Sequence, residues 1–200
     1  MNNLNKIAKF LSVTIVLAAS GTTSAATINS SATVTVNNVI LLTEDAALNF
    51  GSVRATAEMT AAIGAVLILD PATGVISAGA NVGTATTAEL SSLSAGNAGS
   101  YSVSDAATFT ELTLTLPSTA ITLAASSVPT SNPVFTVDNF TATVVGTGQD
   151  ATLPTNLITD ATGAVSFNVG ASLGTDLSAN TTTTYIDADY TGSYTITVVY

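Results

Sequence analysis

The feature that most constrains this chain is an alternation of apolar and small polar side chains at each end. Ile28, Ala32, Val34 and Val36 share one face of an extended backbone, and Thr27, Asn29, Ser31, Thr33 and Thr35 share the other. Tyr190, Gly192, Tyr194, Ile196, Val198 and Tyr200 alternate in the same way with Thr191, Ser193, Thr195 and Thr197. Two is the period of a strand, so each end predicts a strand with one dry and one wet face.

Between the ends, turn residues punctuate short runs rich in Val, Thr and Leu, which suit a pleated surface. Residues 65–69 run into Asp70-Pro71-Ala72-Thr73-Gly74 and then 75–77, which predicts a hairpin. Asp160-Ala161-Thr162-Gly163 predicts a similar turn between 157–158 and 165–169. Further strands are expected over 47–53, 86–93, 101–104, 112–116, 120–123, 134–137 and 140–145, with a loop over 124–133. This spacing predicts an all-β sandwich or barrel. No linker divides it, so residues 37–200 are expected to form one domain.

The first residues carry the layout of a secretory signal. Lys6 and Lys9 precede an apolar stretch over 10–19, followed by small residues to Ala26. That stretch is shorter than the roughly 20 residues a membrane span requires. Residues 1–26 are therefore expected to be a signal peptide, cleaved after Ala25 or Ala26. Removing it leaves Arg54 as the one base against 13 acids. A surface so acidic repels nucleic acid and anionic lipid, so neither is an expected partner, and direct membrane insertion is not expected.

The chain has no His and no Cys. Triads, Cys–His pairs and His- or Cys-based zinc sites are thereby excluded. The pairs Glu44 with Asp45 and Asp187 with Asp189 lack the rest of a Ca²⁺ loop and are read as solvated turn carboxylates. The glycines at 79–83 and 146–148 precede no Lys and make no phosphate loop. No enzyme, cofactor or metal site is expected.

Leu48-Asn49-Phe50-Gly51-Ser52-Val53, Asp70-Pro71-Ala72-Thr73-Gly74, Leu114-Thr115-Leu116-Pro117, Phe135-Thr136-Val137-Asp138-Asn139-Phe140, Asn168-Val169-Gly170-Ala171-Ser172-Leu173 and the final eleven residues occur in that order. Together they resemble a family of small secreted bacterial domains of unknown function described as pilin-like. The two ends are also similar to chaperone–usher fimbrial subunits. Those have an immunoglobulin-like β-sandwich that lacks one strand and is completed by an extension from the next subunit. The resemblance implies a cell-surface fibre built by head-to-tail self-association, with a periplasmic chaperone and an outer-membrane usher as partners. Tyr200 is last where those subunits have Tyr next to last, and their frequent disulfide has no counterpart here.

On this reading residues 27–36 are either a donated strand, with 37–43 starting the sandwich, or an ordinary first strand. The strand over 190–200 would flank the site of assembly. Replacing Val34 or Ile196 by Asp is expected to abolish assembly and leave secretion intact. The alternative is a monomeric secreted or periplasmic binding or adhesion module. An outer-membrane β-barrel ranks behind both, because aromatic girdles are wanting.

Overall fold

Alternation becomes structure wherever a strand finds neighbours over a shared apolar floor. The computed structural model of this protein describes residues 27–36, 39–84, 87–126, 132–146, 156–178 and 182–200. The leader expected over 1–26 lies outside them, as do residues 37–38. The chain divides into two units, Met1–Val36 and Asn37–Tyr200. In the first, residues 27–36 form no strand and are exposed throughout.

The second unit is all-β, with no helix among the described residues. Its strands are β1 (Leu41–Ala46), β2 (Val53–Thr56), β3 (Val66–Leu69), β4 (Ile76–Ala78), β5 (Glu89–Ser92), β6 (Gly99–Ser104), β7 (Glu111–Thr115), β8 (Ile121–Ala125), β9 (Phe135–Val144), β10 (Asn156–Ile158), β11 (Val165–Gly174), β12 (Tyr190–Thr191) and β13 (Thr197–Val199). The main sheet runs β1-β6-β11-β9-β8-β12, with β3 also on β11 and β4 on β3. A second sheet runs β10-β7-β13, and β2 pairs β5. All pairings are antiparallel. The result is the β-sandwich the sequence predicts.

β11 holds the centre, because Phe167, Val169, Ala171 and Leu173 are all buried along it. Leu112, Leu114 and Leu157 of the second sheet join the same buried cluster as Phe167, Val103 and Val137 of the first. Each such side chain contributes about 1.5–3 kcal/mol by leaving water. Gly170 permits the crowding at this centre: a Cβ there would stand 2.1 Å from the Leu69 carbonyl oxygen.

Several expectations need correction. Residues 47–52 are not a strand. The Asn49 side chain accepts the Gly51 N–H at 2.6 Å, and Gly51 turns left-handed at φ 68°. The stretches 134–137 and 140–145 are one strand, β9, kinked at Asn139 (φ 48°) where its register on β11 shifts. The Asp70 turn closes the β3–β4 hairpin as expected, with its carboxylate accepting the N–H groups of Ala72 and Thr73. The Asp160 turn also forms, but its flanks do not pair with each other. β10 joins β7, while β11 joins β6, β9 and β3. The turn therefore carries the chain between sheets. Most of the loop over 124–133 is either the end of β8 or outside the described residues.

The C-terminal alternation is not one strand. Tyr190 and Thr191 pair with β8, Thr197 to Val199 pair with β7, and residues 192–196 join no strand. The last eleven residues thus cross from one sheet to the other.

Candidate functional site

The crossing leaves an opening. A groove of about 1040 Å³ lies along the main sheet, between residues 47–55 on one side and residues 185–192 with Tyr194 on the other. Its floor is a sheet surface. Leu173, Val137 and Ile121 are direct partners across β11, β9 and β8, and Phe135 with Leu123 forms the next row. Phe135, Val137 and Leu173 belong to the buried core, and Ile121 and Leu123 are half-buried against it.

The two sides meet at one end. Thr56 and Thr184 form an antiparallel bridge, and the Ala57 N–H donates to the Thr183 carbonyl at 2.8 Å. Beyond that point they separate. Among the described strands β2 has one neighbour, β5. An edge of this kind is open to pairing by another chain.

Aromatic residues fix the second side. The Tyr185 ring stacks on Phe135 at 4.2 Å, and Tyr190 meets Phe135 edge-on at 5.0 Å. The Tyr185 hydroxyl donates to the Val134 carbonyl at 2.9 Å and accepts the Asp176 N–H at 2.8 Å. The buried Asp176 carboxylate in turn accepts the N–H groups of Val134 and Ser178. Further along, the Tyr194 hydroxyl hydrogen-bonds that of Tyr101 at 2.6 Å. Burial pushes the phenols of Tyr101, Tyr185 and Tyr194 above their ordinary range. For Tyr101 the bond to Tyr194 and the nearby Glu44 charge act in the same direction. These hydroxyls stay neutral at physiological pH and serve as fixed hydrogen-bonding groups.

The residues expected to matter divide clearly. Ile28, Val34 and Val36 are exposed, at 88%, 85% and 73%, as is Ala32. Tyr190, Tyr194, Ile196 and Val198 pack against the core, whereas Gly192 and Tyr200 are exposed. The Tyr200 hydroxyl accepts the Ala107 N–H at 3.0 Å. Asp187 and Asp189 are exposed on the groove's second side. Arg54, on the first side, pairs with Glu89 at 3.0 Å in the open. Among the described residues no group of three or more acidic side chains could hold a metal ion, and no helix is long and apolar enough to cross a membrane.

Sequence reasoning missed the groove floor and Tyr185. One signal was available: four of the five tyrosines fall within the last sixteen residues. Three of these four, Tyr185, Tyr190 and Tyr194, hold the segment through ring contacts to Phe135 and Phe140.

Comparison with curated proteins and with solved structures found no match. A family model covers residues 40–200, and the chain belongs to the family described as Domain of unknown function (DUF4402).

Proposed function

We propose that this protein is a structural subunit of an extracellular bacterial fibre, assembled by strand donation. The observation that carries the proposal is the open groove, whose floor joins core residues to the half-buried Ile121 and Leu123 and whose sides carry the edges of β2 and β12. The donor is residues 27–36 of a second copy, which carry alternating apolar side chains and no charge. An uncharged segment approaches an acidic body without repulsion, whereas two acidic bodies repel each other.

Burying Val34 and Val36 contributes about 1.5–3 kcal/mol each. Ordering the donor backbone costs about 1–2 kcal/mol per residue. Side chains alone do not carry assembly. Main-chain hydrogen bonds to an edge and the covering of the half-buried Ile121 and Leu123 supply the rest. The contact is head-to-tail and does not close on itself, so it propagates a filament. The proposal includes export through the periplasm to the cell surface, with a chaperone shielding the groove until a donor arrives.

Electron microscopy of material sheared from cells, with an antibody to residues 37–200, tests the proposal. Filaments labelled along their length are expected. Recovery of the protein only as a soluble monomer would replace this reading with the monomeric binding module.

A further inference from the structure

Resting on the strand-donation reading, we infer that donation brings a second contact with it: the end of the donating body that displays Phe109 seats on the body of the accepting copy. The first observation is where that end lies. β1 begins at Leu41, opposite Ser104 at the close of β6, and the loop that follows Ser104 carries Phe109. Val165, which opens β11, pairs with Val103, so the Asp160 turn shares this end of the sheet. The chain from the donor therefore enters the body at the end where Phe109 is displayed. Val36 and Val39 are three residues apart, a reach of about 11 Å at most. An acceptor that holds Val36 thus stands at this end of the donating body.

The second observation is an apolar surface on a strained but well-held loop. Phe109 is 74% exposed, and Leu41, Ile158 and Tyr200 are exposed as well. Phe109 also stands at φ 50°, in the left-handed region that a bulky side chain enters at a cost. An exposed ring returns little of that cost within the monomer, and a partner that covers it returns more. The Phe109 N–H donates to the Asp160 carbonyl at 3.2 Å, and the Thr110 N–H donates to the Thr159 hydroxyl at 2.8 Å. That hydroxyl donates to the Ala107 carbonyl at 2.6 Å, and the Ala107 N–H donates to the Tyr200 hydroxyl. A ring on a backbone already fixed loses little freedom on binding, which suits an anchor of an interface. The same end carries Asp105, Glu111 and Asp160, all exposed, and the Asp160 carboxylate accepts the N–H groups of Thr162 and Ala164 in its own turn. Between two acidic bodies the apolar side chains, rather than charge, carry the contact.

Phe109→Gly removes the ring and suits the left-handed backbone, so the fold is kept. Filament growth from the purified full chain is followed by light scattering against subunit concentration, for the parent and the variant. Below the concentration at which filaments grow, a synthetic peptide of residues 27–36 is titrated onto each chain. The variant is expected to need a concentration about tenfold higher or more to grow filaments. It should bind the peptide, which brings no body with it, within about threefold of the parent. Growth of the variant at the parent's concentration would overturn the second contact and leave strand donation standing. Loss of peptide binding by the variant alone would also overturn it, because Phe109 would then act on the groove or the fold. Failure of the parent to bind the peptide or to grow filaments would remove strand donation, and the second contact with it.

Discussion

Residues 27–36 and residues 190–200 carry the same signal and meet different fates. Both alternate apolar with small polar side chains. The first stretch forms no strand and leaves its apolar face exposed, while the second puts Tyr194, Ile196 and Val198 against the core. The difference lies in anchors. The C-terminal stretch has rings that meet Phe135 edge-on and tilt onto Phe140, a hydroxyl bonded to Tyr101, and partner edges on β8 and β7. The N-terminal stretch has only Ile, Ala and Val on that face, apart from Ser30. Alternation states that a segment can be a strand; a floor and an edge decide whether it becomes one.

The sharpest way to break this comparison is to remove each stretch in turn. Deleting 190–200 removes β12, β13 and the Tyr194, Ile196 and Val198 contacts, and we expect no cooperative thermal transition. Deleting 27–36 should leave the transition of the monomer in place. Equal effects on calorimetric Tm would show that the two stretches do not differ. Next in size, Ile196→Asp places a charge against the core and should cost several kcal/mol in urea unfolding. Val34→Asp should stay within about 0.5 kcal/mol of the parent, as exposed substitutions do. The structure thus revises the expectation that both leave secretion intact: Ile196 packs against the core, so its substitution weakens the fold itself.

Smaller effects sharpen the picture. Tyr194→Phe removes one hydrogen bond and should cost about 1 kcal/mol. Raised phenol values also set a pH dependence. Folded Tyr101, Tyr185 and Tyr194 hold their protons above the ordinary value near 10, so the stability they contribute is complete below about pH 10 and is lost as pH climbs through the folded values. Urea midpoints should be insensitive to these groups from pH 7 to 9 and fall above about pH 10. The fall should be shallower for the Tyr101→Phe, Tyr194→Phe double variant. The smallest effect is expected for Arg54→Ala, at most about 1 kcal/mol, because the pair with Glu89 is exposed.

The all-β sandwich was legible because its cues are local. Val and Thr runs, the Asp70-Pro71 turn and the alternation of 101–104 each act within a few residues. Non-local outcomes were not legible. The Asp160 turn reads like a hairpin turn, yet which sheet its flanks join depends on Leu157 meeting Leu112 and Val165 meeting Val103, 45 and 62 residues away. The stretch 47–53 reads as a strand until Asn49 and Gly51 form a turn. The groove was the least legible feature, because its floor gathers Ile121, Val137 and Leu173 from three strands and no short pattern joins them. The sides were partly visible in the Tyr-rich C-terminus.

The central claim is that residues 27–36 of one copy occupy the groove of another. The chain has no Cys, so introduced thiols report only the intended pair. Subunits carrying Val34→Cys are mixed with subunits carrying Leu123→Cys, assembled, and treated with a thiol-specific bifunctional reagent of about 10 Å span. Donation lays Val34 over the floor that holds Leu123, at the roughly 10 Å that separates facing sheets, so covalent heterodimers are expected in the assembled fraction. Fibres that assemble from the mixture without any Val34–Leu123 cross-link would contradict the account.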